Sequence, residues 1–371
     1  MKILVHQPRL SYYLGGGETV PLKQAEMLSK LGHDVHILTS KPPKYSDLYI
    51  EFKKDNPNIT IKEIELSDKS IYKEEPGKNW SRWDKEAILF GQACEEFYSS
   101  RPSFDLVVTH LLSDSLYVPK YYKNVLHLHG VPSTSRDFDR IFLMRPDYFI
   151  SVSESVKEGW IALYSELSKK NIDVCYNGVQ TDKFQDKGLD KNIDLLYVGR
   201  MIPNKGIYQI IDALKILVDK KVLFNKLVMV GKGPELENIT KKVSEIKLQD
   251  KIEFMQDLTS SELEKLYSRS KIFLCPSYAK EGVLTTMLEA ASSGCAIITA
   301  DACGMPEFAK HKRNALLAKP EDTESLSEMI EDLLTHEQNR ADFINQAKKD
   351  IKGWDTKATI TKLSKIYQSY E

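Results

Sequence analysis

Short apolar runs alternate with amphipathic helical stretches along nearly the whole chain, and no other feature limits the fold as strongly. Lys2–His6 opens the pattern as an apolar strand. Gly15, Gly16 and Gly17 follow, then a helical stripe of Leu22, Ala25, Leu28 and Leu31, a stop at Gly32, and a second strand at Val35–Thr39. Strand, glycine turn, helix, strand is a βαβ unit, which pairs its strands in parallel. Further strand-like runs fall at Ile59–Leu66, Asp105–Thr109, Asn124–His129 and Tyr148–Val152, with helix expected over Asp84–Ser100. The polar stretch Ser168–Asp173 reads as a link, and Val174–Val179 as the opening of a second series. Its strands are Leu195–Val198, Leu227–Val230, Ile252–Met255, Ile272–Cys275, Cys295–Thr299 and Ala315–Ala318. Between them lie helical stretches, among them Ile207–Asp219 with its stripe Ile210, Ile211, Leu214 and Leu217. This is the pattern of an α/β protein with parallel sheets, and 371 residues suit two domains. The tail, Trp354–Tyr370, is again helical and is expected to pack back on the first domain. The expected division is 1–171 plus 353–371 for the first domain and 172–352 for the second.

Composition mainly excludes. A net charge of −1 gives no general attraction to nucleic acid or anionic membrane. The five cysteines (Cys94, Cys175, Cys275, Cys295 and Cys303) are widely spaced, with no C-x-x-C, so neither a zinc knuckle nor a disulfide framework is indicated. The apolar part of MKILVHQPRL is too short for a signal peptide, and no apolar run approaches a membrane span. The expected location is the cytoplasm.

Chemistry concentrates in Lys280–Gly304, read as a loop, a helix and a strand. Glu281 stands before the helix and Glu289 inside it, with Val283, Leu284, Met287 and Leu288 as its apolar side. A helix starting near Val283 would point its free N–H groups at the loop holding Glu281, a setting that suits a phosphate. Carboxylates there could accept sugar hydroxyls, although acids near a helix start also simply suit the macrodipole. Arg200 ends a strand and Lys205 precedes a helix, so the pair could neutralise a diphosphate or be solvated surface bases. Gly15–Gly17 would let backbone approach a bound group, and Pro21 is tolerable early in the helix behind it. His127 and His129 share a face at the end of one strand. Three readings stay open for them: structural histidines, a substrate contact through His129, or a metal pair lacking any acidic or cysteine ligand to complete it. Gly231-Lys232-Gly233 is only a fragment of a dinucleotide fingerprint. Ile71–Trp83 mixes bases and aromatics and reads as an acceptor loop, a membrane-touching edge or a solvated loop.

Taken in order, these residues resemble the retaining glycosyltransferases of family 4, which have the GT-B fold. The first domain carries GGGE at Gly15–Glu18 and HG at His129–Gly130. The second carries NGVQTDKF from Asn177, VGRMIPNKG from Val198, VGKGPE from Val230, E-x7-E from Glu281 to Glu289, and GMPE from Gly304. The resemblance implies two Rossmann-like domains facing across a cleft, and a UDP- or GDP-linked sugar held mainly by the second. By matching position, Arg200 and Lys205 should bind the diphosphate and Glu289 the ribose hydroxyls. Glu281 and His129 should contact the donor sugar, and Gly16 and Gly17 should approach the phosphates. The amides at Val283, Leu284 and Thr285 belong to the expected donor site. No metal and no further cofactor are implied. The acceptor is expected to be a glycan, glycolipid or small hydroxyl compound, and relatives that build lipid-linked glycans suggest peripheral membrane contact. One departure stands out: the family's E-G-F-G is Glu281-Gly282-Val283-Leu284 here. Two other readings compete: a sugar-nucleotide epimerase of the same fold, with Asp114, Asp137 and Asp139 as candidate acids and bases, and a non-catalytic sugar-nucleotide-binding module. A dehydrogenase would rest on Gly231 and Gly233 alone.

Overall fold

The computed structural model describes residues 1–13, 15–73, 80–132, 134–137 and 139–370. Part of the Ile71–Trp83 run therefore lies outside the described residues. The chain divides into two compact units. The first comprises Met1–Val152, Val156–Cys175 and Ile360–Glu371; the second comprises Ser153–Ser155 and Tyr176–Thr359.

The first unit is built on a seven-stranded sheet of β1 (Lys2–His6), β2 (Asp34–Ser40), β3 (Thr60–Ile64), β4 (Leu106–Thr109), β5 (Asn124–Leu128), β6 (Tyr148–Ser151) and β7 (Ile172–Val174). Their order across the sheet is β3-β2-β1-β4-β5-β6-β7, and every pairing is parallel. β7 lies in the stretch read from the sequence as a link and the start of the second half. Only Ile172 of its three residues is buried, so it carries little apolar signal, yet it pairs with β6. Buried side chains alternate between the two faces: Ile3 and Val5 of β1 join one core, and Leu4 joins another. The first of these cores also takes Ile360, Leu363, Tyr367 and Tyr370, so the end of the C-terminal helix Thr356–Gln368 belongs to this unit, as expected.

The second unit carries six parallel strands: β8 (Ile193–Val198), β9 (Leu227–Val230), β10 (Ile252–Met255), β11 (Ser270–Cys275), β12 (Ala296–Ala300) and β13 (Leu316–Ala318). Their order is β10-β9-β8-β11-β12-β13. Leu195, Met229, Ile272 and Leu274 feed the core on one face, and Leu196, Val228 and Phe273 the core on the other. The helix Ile207–Asp219 buries the four stripe residues completely. Both units are Rossmann-like sheets. In each, strand order reverses beside the first strand, next to β1 and β4 in one unit and β8 and β11 in the other. Ligands of open parallel sheets gather outside the carboxyl ends of strands at that reversal. The glycine turn follows β1, Arg200 and Lys205 follow β8, and Glu281 follows β11.

Candidate functional site

In the second unit, the loops after β8 and β11 are locked together. Gly206 adopts φ +76°, and a Cβ there would lie 2.4 Å from the carbonyl oxygen of Pro276. Only glycine meets both demands at this position. The Tyr278 amide donates to the Asn204 carbonyl at 3.0 Å. This packing places buried Lys205 against Glu281: its Nζ is 2.5 Å from each carboxylate oxygen. Ser277 Oγ donates to the same carboxylate at 2.7 Å. Arg200 is exposed and makes no ion pair among the described residues, while Tyr197 OH donates to its carbonyl at 2.8 Å. Lys205 and Glu281 are thus brought together, and Arg200 stays free to meet a ligand.

The helix behind Glu281 spans Thr285–Ser292, two residues later than the sequence suggested, and has Leu284 as a cap with no side-chain hydrogen bond. The shift has a packing cause: Val283 is buried in the core and Leu284 packs against it, so both anchor the turn before the helix. The first amides of this helix lack the usual Ser, Thr, Asp or Asn acceptor. Gly304 holds the loop from behind: its amide donates to the Glu281 carbonyl at 3.1 Å, and a Cβ there would meet the Gly282 carbonyl carbon at 2.5 Å. Glu289 accepts a hydrogen bond from Tyr267 OH at 2.9 Å. Burial pushes its carboxyl up to about 7. The sequence reading missed Ser277 and Tyr267. Ser277 was findable, since it sits just past the end of β11; the contact of Tyr267 depends on helix packing that has no sequence signal.

Gly231 and Gly233 have a structural explanation. A Cβ on Gly231 would lie 1.9 Å from the Gly199 carbonyl oxygen, and one on Gly233 2.3 Å from that of Met201. The Met201 amide donates to the Lys232 carbonyl at 2.7 Å. These glycines let the loop after β9 press against the loop carrying Arg200, which accounts for them without a dinucleotide.

In the first unit, the helix Gly16–Lys30 begins at the glycine turn. A Cβ on Gly16 or Gly17 would meet nothing within 4 Å, so this backbone is open. Pro21 lies in the second turn rather than the first. Lacking an N–H, it leaves the Gly17 carbonyl without its helical donor, and Gln7 Nε2 donates there instead at 2.9 Å. Beneath the turn, fully buried Arg9 pairs with Glu86 at 2.7 Å and Asp114 at 2.6 Å. Burial pushes the Glu18 and Asp114 carboxyls up to about 7. Asp139 accepts from Arg136 and from Tyr164 OH, and Asp137 is exposed. The three aspartates that an epimerase might use thus have three different environments, two of them structural.

His129 lies just past β5 and is half-buried. Its Nε2 is 2.8 Å from Nδ1 of His110, the residue just past β4. His127 is buried, with Nε2 2.7 Å from Tyr367 OH on the C-terminal helix. Burial holds all three imidazoles neutral, His129 at about 4 and the other two well below the ordinary histidine value.

Two Rossmann-like parallel-sheet units, each with its candidate residues at the strand reversal, are the architecture of the GT-B class. Comparison with known proteins makes the assignment narrower. Residues 179–350 match the profile of glycosyl transferases group 1, and residues 14–183 that of glycosyltransferase family 4. The chain belongs to the family 4 glycosyltransferases of GT-B fold. A capsular polysaccharide biosynthesis glycosyltransferase, CapM of Staphylococcus aureus, is 26% identical over 379 residues, 95% of each chain. Two uncharacterized glycosyltransferases of Methanocaldococcus jannaschii are each 26% identical over 230 and 241 residues, covering 57 and 62% of this chain. Those matches span 58 and 60% of the relatives' own lengths, less than two thirds. The solved structure of Anabaena HepE in complex with UDP is similar in fold, at TM-score 0.77 and 17% identity, with 100% of both chains covered.

Proposed function

We propose that the protein is a retaining glycosyltransferase that moves a hexosyl residue from a UDP- or GDP-linked sugar to a hydroxyl acceptor in polysaccharide, glycolipid or glycoconjugate synthesis. The observation that carries the reading is the Lys205–Glu281–Ser277 cluster at the carboxyl ends of β8 and β11, beside a helix start with no side-chain cap. Lys205 and exposed Arg200 supply positive charge for a diphosphate, and the first amides of the helix Thr285–Ser292 supply donors for it. In transfer, the bond between the anomeric carbon and the phosphate oxygen breaks and the diphosphate leaves with the electron pair. The acceptor oxygen bonds that carbon from the same face, and its proton passes to the departing phosphate. Arg200, Lys205 and the amides hold the charge that develops, without reorganising to do so. Glu281 accepts hydroxyls of the donor sugar and Glu289 those of the ribose. His129 towards the sugar, and Gly16 and Gly17 towards the phosphates, rest on the family pattern.

Relatives named for capsular polysaccharide and amylovoran biosynthesis support a polymer-building role. A fold neighbour solved with UDP-glucose makes that compound the first donor to try. No described helix is long and apolar enough to cross a membrane; contact with lipid-linked acceptors at the inner membrane surface rests on the family pattern. The test is a thermal-shift screen of the chain against UDP, GDP, ADP, CMP and their sugars, followed by NMR of the product's anomeric configuration. A ligand that binds only the folded state raises the melting temperature. One nucleotide family should do so, and its sugar should be transferred with configuration kept. An inverted product, an epimerised donor, or no shift with any nucleotide overturns the reading.

A further inference from the structure

We propose that His110, His127 and His129 form a binding site for a divalent transition-metal ion of the zinc type. The sheet register builds this cluster. Thr109 of β4 pairs with Leu126 of β5, so one step further along sets His110 beside His127. His129, two residues beyond His127, returns to the same face. Each ring offers one nitrogen, and the three nitrogens lie within 4.8 Å of one another. The ring centroids are 4.7 Å apart for His110 and His127, 5.1 Å for His110 and His129, and 6.1 Å for His127 and His129. Zinc–imidazole bonds are about 2.0–2.1 Å, so tetrahedral ligation needs nitrogens about 3.3 Å apart; the rings must turn enough to change their separations by up to about 1.5 Å. Three imidazoles with no carboxylate suit zinc, copper or nickel and disfavour magnesium and calcium.

A second observation concerns His127. Its Nε2 is engaged by Tyr367 OH at 2.7 Å, the kind of outer partner that orients a metal-bound imidazole. Its Nδ1 is buried and has no hydrogen-bond partner. A buried polar atom left unpaired is costly, and an ion shared by the three rings removes that cost. His110 Nδ1 and His129 Nε2, 2.8 Å apart, share one proton. On binding, that proton shifts to the outer nitrogen of its own ring, leaving both facing atoms as lone-pair donors. Three protein ligands leave a fourth position for water. The ion would tie the turn at His129–Gly130 to the ends of β4 and β5.

The site lies in the first unit and its test needs no donor, so its failure is distinguishable from failure of the transfer reading; the two share His129 alone, which cannot face the ion and the donor sugar with the same nitrogen. The full chain, freed of any added histidine tag, is dialysed against Zn2+ or Co2+, and bound metal per chain is measured. One ion per chain is expected, with the visible absorption of four-coordinate Co2+ and a higher melting temperature in Zn2+. His110→Ala should weaken binding more than tenfold. Tyr367→Phe should keep the spectrum while weakening binding roughly 10- to 100-fold. Unchanged binding in His110→Ala, a six-coordinate Co2+ spectrum, or no rise in the parent's melting temperature overturns the proposal. The last two readouts use the unaltered chain and do not depend on a variant folding.

Discussion

The pair Lys205–Glu281 makes the sharpest prediction, because each partner is the other's main source of compensation. The lysine side chain is 9% exposed and the glutamate 22%, so solvent replaces either partner only in part. A charge-assisted hydrogen bond in such a setting contributes roughly 1.5–3 kcal/mol. Lys205→Met leaves Glu281 with Ser277 alone, and Glu281→Gln leaves a nearly buried ammonium without its carboxylate. Each single change should therefore cost about 2 kcal/mol. For a domain of 150–250 residues, each kcal/mol shifts the melting temperature by about 2–4 °C, so the expected loss is roughly 4–8 °C. The double variant should lose far less than the sum, since no unpaired charge remains. The two singles should then part company with a ligand. Lys205→Met weakens binding of a free nucleoside diphosphate, whereas Glu281→Gln strengthens it by releasing positive charge. Both should slow transfer, Lys205→Met by about 10²–10³-fold if it stabilises the leaving group as an oxyanion-hole donor does. The assay is a melting cycle of the parent and three variants, followed by calorimetric titration with the nucleotide. Strictly additive melting shifts, or weaker diphosphate binding in Glu281→Gln, would refute the reasoning.

Two further predictions concern carboxyl groups. Glu289 has its carboxyl raised by burial to about 7 against an ordinary 4.5, so the folded state holds the proton more tightly than the unfolded chain. Stability should fall as pH rises from about 4.5 to 7 while donor affinity rises over the upper part of that window; Glu289→Gln should flatten both trends, and melting and binding curves across pH 4–9 decide it. Arg9→Met would strand Glu86 and Asp114, both with fully buried side chains, and should cost roughly 3–5 kcal/mol. Acid should restore part of that loss by protonating Asp114, whereas a melting shift below 1 °C at pH 7.5 would mean that the network is not what holds the glycine turn.

The strands and the motif order were legible in the sequence because both are local. The short apolar runs of β8, β9 and β11, buried on both faces, and the helical stripe Ile210, Ile211, Leu214 and Leu217 are visible in the local sequence pattern. What could not be read depends on register and packing between segments far apart in the chain. His127 and His129 were seen as a pair lacking a third ligand. His110, 17 residues before His127, joins them only because β4 and β5 pair as they do. Asp114 was a candidate acid or base until Arg9, 105 residues away, proved to be its partner. The strand β7 was missed for a different reason: with a single buried residue it leaves little pattern to read.

The departure Gly282-Val283-Leu284 from the family's usual sequence now has a physical reading. Val283 is 7% exposed and belongs to the core on the face that also holds Met287 and Leu288. Its side chain therefore cannot face a ligand, and any donor contact at 283 or 284 has to come from the backbone. The two apolar residues fix the turn by burial where a glycine would leave it looser, and they move the first helical residue to Thr285. That places Thr285 and Thr286, both half-exposed, in the first turn, where a hydroxyl and an amide from the same residue can face one anion. Under the transfer reading proposed above, these two hydroxyls would add to the amides in meeting the donor's phosphates. Thr285→Val, which keeps the shape and the amide but removes the hydroxyl, separates the two contributions. A loss of diphosphate affinity in that variant assigns recognition to the side chain, and unchanged affinity assigns it to the helix amides alone.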